Sequence, residues 1–483
     1  MDLQALADRA LRTVKREGAS QADVFATSSR TVSVYVDDGR IKIADEKLDQ
    51  GISVRALKGR KVGQASSTCV AEEDADRCGR SASKLADLAP PSRSFDRLPA
   101  PTAATLSPDN WDPRAAEIDG AGLSELARTI VSAAMDRGVK VPKGMIRAGS
   151  VHTLVRNSNG VDVSNRYTLV FSAFGSMADG PTPGEGLKDY TSPWLEGLDP
   201  VCVGASLAEQ AKAASRATAL PQPLKLPVLI APGELGEMLD PLVGTSASAD
   251  SVHKKRSAWT DKIGEAVASE AITVVDDPGD NRAVLSAPYD DEGVPTSRKT
   301  IIEKGVLSNF LYDSYNSSVS GKAPSGNGVR RWPQNSQYVF QNSVGAGHFN
   351  LVFQPGAKGQ DALRSSFDQA VLIEKFSYPD VNPVSGAFAL EIRLGHLLSG
   401  GTVERTFKHA LLVGNMFDAL KNVREVGRDV EVVRASILPT IAFEGMEVVG
   451  SSLSPDIKPA EPPPLLLEGE LLQPRSFQEA PGL

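Results

Sequence analysis

The stretch Thr31-Val32-Ser33-Val34-Tyr35-Val36-Asp37-Asp38-Gly39-Arg40-Ile41-Lys42-Ile43 decides the character of the amino-terminal fold. Val32, Val34 and Val36 alternate with polar residues, which sends every second side chain to one face and is the period of a strand. Asp38-Gly39 offers the backbone freedom a tight hairpin needs, and Ile41 and Ile43 then resume the alternation. Upstream, Leu3, Leu6, Ala7, Ala10, Leu11 and Val14 recur at helical spacing, with Gly18 as a stop behind basic Lys15 and Arg16. Downstream, Gly51 to Leu57 and Lys61 to Thr68 predict two more strands about Gly59, and Glu72 to Ala89 is helical in composition. Residues 1–90 therefore read as a helix, a meander and a second helix.

Working outward, prolines 90, 91, 99, 101, 108 and 113 deny regular hydrogen bonding over a polar stretch, which marks a linker. A second α/β unit over 114–220 has Leu123, Leu126, Ala127, Ile130, Val131 and Ala134 on one helical face, strands on either side of Asn159-Gly160, and a helix from about Ser206 to Ala219. Over 223–450 the runs Val228 to Ile230, Ala271 to Val275, Lys299 to Glu303 and Val306 to Leu311 are short and turn-bounded, as in a β-rich domain. From 454 to 483 the composition changes to a tail that holds seven of the 32 prolines, so an extended segment is expected, with Leu465-Leu466-Leu467 and Leu471-Leu472 able to dock. The fold class is α+β: amino-terminal α/β units with an antiparallel meander, then a larger β-rich carboxy-terminal domain.

A chain of 483 residues can bury a sizeable core, and 41% hydrophobic with 23% charged residues is a globular composition. A net charge of -8 forfeits the counterion release that drives binding to a phosphate backbone, so nucleic acid is set aside. Met1-Asp2-Leu3-Gln4 opens without a basic stretch followed by an apolar run, and no segment approaches the roughly 18 consecutive apolar residues of a membrane helix. A cytoplasmic protein with no membrane partner is expected. The cysteines Cys69, Cys78 and Cys202 form no Cys-x-x-Cys pair, and reduced structural thiols follow.

Hydrolytic zinc needs three protein ligands and an open position, usually with two histidines a helical turn apart and a glutamate base nearby. His152, His253, His348, His396 and His409 are scattered, and none is followed by Glu. No serine stands in Gly-x-Ser-x-Gly, which disfavours an α/β-hydrolase elbow. The turn-rich Gly321 to Gly328 lacks the Gly-Lys-Ser/Thr ending of a phosphate loop. Carboxylates cluster at Asp276-Asp277 and Asp290-Asp291-Glu292, where they could bind a hard cation or run acid/base chemistry, but each cluster abuts Pro or Gly and reads first as solvated turn acids. The residues alone assign no catalytic group.

Several segments of the third region resemble the TldD/PmbA family, once described as modulators of DNA gyrase and now regarded as peptidases. They are Lys262-Ile263-Gly264-Glu265, Asp276-Asp277-Pro278, Asp291-Glu292-Gly293, Glu303-Lys304-Gly305-Val306-Leu307 and Tyr312-Asp313-Ser314-Tyr315. In the same order follow Ser325-Gly326-Asn327, Asn382-Pro383-Val384-Ser385-Gly386, Gly414-Asn415 and Leu420-Lys421-Asn422. Asn157-Ser158-Asn159-Gly160-Val161 extends the likeness into the second unit, so it spans about residues 1 to 450.

The family divides into TldD-like members with a His-Glu-x-x-x-His zinc motif and TldE/PmbA-like members without one. Here the motif position reads Asp240-Pro241-Leu242-Val243-Gly244-Thr245, and no Cys follows Cys202 to serve as the later ligand. With Asp240 and Thr245 in place of two imidazoles and Pro241 in place of the base, tight zinc binding is not expected. The resemblance implies a noncatalytic subunit with no cofactor of its own, paired in a heterodimer with a TldD-like subunit that carries zinc, in a complex that degrades or processes peptides and unfolded segments. Peptides are expected to add to a sheet edge near Lys299, Ile301, Glu303, Val306 and Asn327. Two other readings stand beside it: a stand-alone hydrolase with a metal on Asp276, Asp291 and Glu292, and a binding or modulator module that uses the tail.

Overall fold

The structure is a computed structural model that describes residues 2–69, 71–330 and 339–450; the tail expected over 454–483 lies outside the described residues. Asp2 caps α1 (Leu3–Arg16) by accepting from the Gln4 N–H, and the helix buries Leu6, Ala7, Ala10 and Val14. The chain then forms β1 (Gln21–Asp37), β2 (Arg40–Lys58) and β3 (Lys61–Thr68), followed by α2 (Glu72–Leu88). Asp38 and Gly39 both take positive φ, 49° and 68°, as the hairpin turn requires. The strands expected at Ile41 and at Gly51 to Leu57 are one continuous strand of 19 residues.

The second unit repeats this plan. A short α3 (Pro113–Glu117) and α4 (Gly120–Met135) lead into β4 (Lys140–Asn157), β5 (Asp162–Ala178) and β6 (Gly184–Ser192), and α5 (Pro200–Arg216) closes it. The two meanders are joined: β1 pairs β4 in register, Val24 opposite Arg156 and Val34 opposite Ile146, giving one antiparallel sheet in the order β3-β2-β1-β4-β5-β6. On one face, α1 and α2 cover Val24, Ile52, Val54 and Leu154, while α4 and α5 cover Val32, Val34, Ile146, Val170 and Phe174. Each such side chain contributes roughly 1.5–3 kcal/mol by leaving water. Gly63 of β3 must be glycine, because a Cβ there would lie 2.1 Å from the Ala86 nitrogen of α2.

The proline-rich connector is strapped to the third region rather than left in solvent. Asn110 Nδ2 donates to the carbonyls of Val284 and Ser286 at 3.0 and 2.9 Å, and the Ala104 N–H donates to the Tyr289 hydroxyl at 3.0 Å. Phe95 and Leu98 are buried beside Leu57.

The third region supplies β7 (Val228–Ile230), β8 (Val274–Asp276), β9 (Lys299–Glu303), β10 (Val306–Leu307), β11 (Gly328–Val329), β12 (Gly345–Ala346) and β13 (Leu351–Phe353). It continues with β14 (Gln369–Phe376), β15 (Ala387–Ser399), β16 (Thr402–Phe407), β17 (Ala410–Asn415), β18 (Val423–Val433), β19 (Ser436–Phe443) and β20 (Glu447–Val449). A mixed twelve-stranded sheet runs β10-β9-β8-β13-β19-β7-β14-β15-β17-β20, with β16 on β15 and β18 on β19. β7 is buried at every position and leads directly into α6 (Pro232–Ala247), which lies against β18 and β19. That helix carries the 240–245 motif position, with Asp240, Leu242 and Val243 buried.

Candidate functional site

α6 presents Gly236, Asp240 and Gly244 at intervals of four residues, which stack along one side of a helix. A Cβ at Gly236 would lie 2.5 Å from Val433, and one at Gly244 would lie 2.8 Å from the His348 ring. Both glycines thus admit a neighbour to the helix surface, and Asp240 between them meets two partners. Its Oδ2 accepts from the Ser436 hydroxyl at 2.7 Å and stands 3.3 Å from His348 Nε2. Ser436 opens β19; His348 lies on the connector between β12 and β13. All three side chains are buried.

The electrostatics follow from that burial. Desolvation pushes the Asp240 carboxyl up, but neighbouring His348, the hydrogen bond from Ser436, and Arg434 outweigh it and hold it below the usual carboxylate range. Desolvation pulls His348 down, yet Asp240 outweighs it and raises the imidazole above its ordinary value. Arg434, in the turn between β18 and β19, reaches Glu237 at 2.5 Å, although burial pushes that carboxyl up to about 7. Glu234 is held by Lys375 and the Phe376 N–H, both at 2.7 Å.

The residues at the motif do not fit zinc. Asp240 is committed to His348 and Ser436, Pro241 has no donor or acceptor on its side chain, and Thr245 is half-buried with only a hydroxyl to offer. Among the described residues, no group of three or more His, Cys, Asp or Glu stands together to hold a metal ion.

The acids at 276 and 290–292 are not solvated turn residues, and this corrects the expectation. Asp276, Asp290, Asp291 and Glu292 are all buried, the first completely. Asp276 Oδ1 accepts from the N–H groups of Phe349 and Asn350 at 2.8 and 3.2 Å, and its Oδ2 accepts from Asn327 Nδ2 at 2.6 Å. Asp290 accepts from the N–H groups of Glu292, Val294 and Gly328, and Asp291 from that of Arg330. Glu292 accepts from Arg55 at 2.8 Å and from the Ser314 N–H at 2.7 Å. The physical reason is that loop main chain driven into a core must find acceptors, and short carboxylates supply them. Each acid is spent on a different segment, so Asp276, Asp291 and Glu292 do not converge on a cation.

The expected peptide-binding edge is also not open. β9 is flanked by β8 and β10, and the outer side of β10 is occupied: the Gly264 N–H donates to the Leu307 carbonyl and the Leu307 N–H to that of Glu265. Ile301 and Asn327 are buried, with the Asn327 amide bonded to Asp276 and the Gly347 carbonyl. Lys299 Nζ donates to the Ser297 carbonyl at 2.5 Å. Glu303 and Val306 remain exposed. Sequence reasoning left His348 among scattered histidines and did not single out Ser436 or Arg434; the four-residue spacing of Gly236, Asp240 and Gly244 was the signal available.

Two family profiles match, the PmbA/TldA metallopeptidase domain 1 over residues 22–86 and the PmbA/TldA metallopeptidase C-terminal domain over 223–450, together more than half of the chain. The chain belongs to the PmbA/TldD family. An uncharacterized protein of Methanocaldococcus jannaschii is 26% identical over 92% of this chain and 99% of its own length. The PmbA homolog of Haemophilus influenzae, named a metalloprotease, is 25% identical over 93% and 96%. Among solved structures, TldE of Thermococcus kodakarensis superposes with a TM-score of 0.84 at 22% identity, covering 92% of this chain and 99% of that one. This PmbA/TldD member therefore shares its fold with TldE, and its kinship is with metallopeptidases. Among the described residues, no helix is long and apolar enough to cross a membrane.

Proposed function

We propose that this chain is the noncatalytic, TldE-like subunit of a zinc metallopeptidase complex, in which a TldD-like partner carries the metal and the two together process peptides and unfolded segments. One observation carries the reading: at the zinc-motif position the side chains are Asp240, Pro241 and Thr245, and the acid among them already accepts from Ser436 and stands 3.3 Å from His348. A zinc hydrolase lowers the pKa of a metal-bound water, and a site without grouped imidazoles and thiolates has no means of doing so. The subunit's contribution is then shape and substrate contact; of the expected peptide-binding set, Glu303 and Val306 are the exposed members. The complex is expected in the cytoplasm.

Co-expression with a zinc-motif relative tests this. The tagged chain is expected to co-purify with that relative, and peptide cleavage is expected only from the pair and to stop on chelation. Recovery of the chain without any such partner, or zinc-dependent cleavage by the isolated chain, overturns the reading.

A further inference from the structure

The motif position is not merely vacant of ligands; it is filled. We propose that Asp240, His348 and Ser436 form a metal-free clasp that ties α6 to the connector before β13 and to the start of β19. This inference rests on the reading of 240–245 as the degenerate zinc motif. Asp240 and Ser436 are 196 residues apart and His348 lies between them, so three distant segments meet at one carboxylate.

A buried carboxylate without a partner costs several kcal/mol, whereas one that is paired and hydrogen-bonded is tolerated. The charged groups facing Asp240 are few. His348 comes from the connector and Arg434, paired with Glu237 of α6, from the β18–β19 turn, while Asp276 of β8 acts on His348. Arg434 is engaged by Glu237, which leaves His348 as the partner that matches the Asp240 charge at 3.3 Å. Gly244 is part of the device, since the ring occupies the space that any larger side chain would need. The clasp therefore does by direct contact what a bound ion would do by shared coordination: it fixes the helix against the strand layer. The fold at this position then depends on no metal.

The full chain is tested as wild type, D240N, H348Q, the D240N/H348Q double variant and G244A, with thermal unfolding and hydrogen exchange of the α6 amides as readouts. Each single change is expected to lower Tm, and the double variant to lie no lower than the worse single one, because both remove one interaction. G244A, which alters no charge, is expected to displace the ring and to speed α6 exchange about tenfold or more. Wild-type Tm is expected to stay the same with EDTA or with added zinc chloride. Additive single effects, wild-type exchange rates in G244A, or a Tm that falls with EDTA overturn the clasp. Should H348Q fail to fold, G244A alone decides the matter. A broken clasp prediction with partner binding intact sinks this inference only; coupling between Asp240 and His348 without any zinc-bearing partner sinks the subunit reading only.

Discussion

Arg55 of β2 and Glu292 of the loop before β9 form a buried ion pair at 2.8 Å across 237 residues of sequence. The guanidinium also reaches Asp23 of β1, and both acids raise its affinity for the proton although burial opposes them. Beside it, Arg330 donates to Ser53 at 3.0 Å. The six-stranded sheet is thus fastened to the β-rich region through charges that neither side could bury alone.

Arg55→Ala removes one cation and strands two carboxylates. Loss of one member of a buried pair costs about 3–5 kcal/mol, so chemical unfolding is expected to show a loss of that size. A midpoint within 0.5 kcal/mol of wild type, on the order of a surface substitution, contradicts it.

Asp313 caps the helix Ser314–Ser320, and burial, then the Glu292 charge, push its carboxyl up to about 6. Asp290 is raised in the same direction by the same two causes. An acid raised on folding holds a proton that the unfolded chain has released, so stability falls as pH rises from about 4 through about 6. Asp313→Asn keeps the cap and cannot ionise. It is expected to flatten that decline by up to about 3 kcal/mol, at about 1.4 kcal/mol per tenfold change in proton affinity, in unfolding curves recorded across that range.

His348 acts in a higher window. Its imidazole is raised in the folded state, so the stability it contributes is complete below its unfolded value near 6.5 and is lost as pH climbs through the folded value. Melting of H348Q is expected to lack the part of the alkaline decline that wild type shows above pH 6.5; identical profiles refute the pairing.

Pro241 sits inside α6, where it removes the N–H that would bond the Glu237 carbonyl. Pro241→Ala restores that donor and is expected to raise stability by about 1–2 kcal/mol, less than the roughly 3 kcal/mol interior penalty because some packing is lost. An unchanged or lower Tm counts against it.

Much of the architecture could be read from local patterns. The Val32, Val34, Val36 alternation and the Asp38-Gly39 turn are short-range features, and the hairpin falls where they put it. The pairing of β1 with β4 is not short-range: nothing near Val34 says that its neighbour is Ile146. The acids misled for a related reason. Asp-Asp-Pro and Asp-Asp-Glu-Gly have turn composition, and they do make turns, but whether a turn is wet depends on what packs over it, here Phe349, Arg330 and Arg55. At α6 the missing ligands were legible and the replacement was not, because His348, on a connector, and Ser436, at the start of β19, lie far down the chain.

The central position of β1 in its sheet bears on how the protein is made. Seventeen residues of β1 find β2 on one flank early, but the other flank awaits β4, which ends at Asn157. A nascent chain shorter than that carries an unsatisfied strand border of Val24, Ala26, Val32 and Val34, a template for mispairing with other polypeptides. Ribosome-bound intermediates truncated between β3 and β4 should therefore be the ones that chaperones hold longest, and release should coincide with emergence of the second meander.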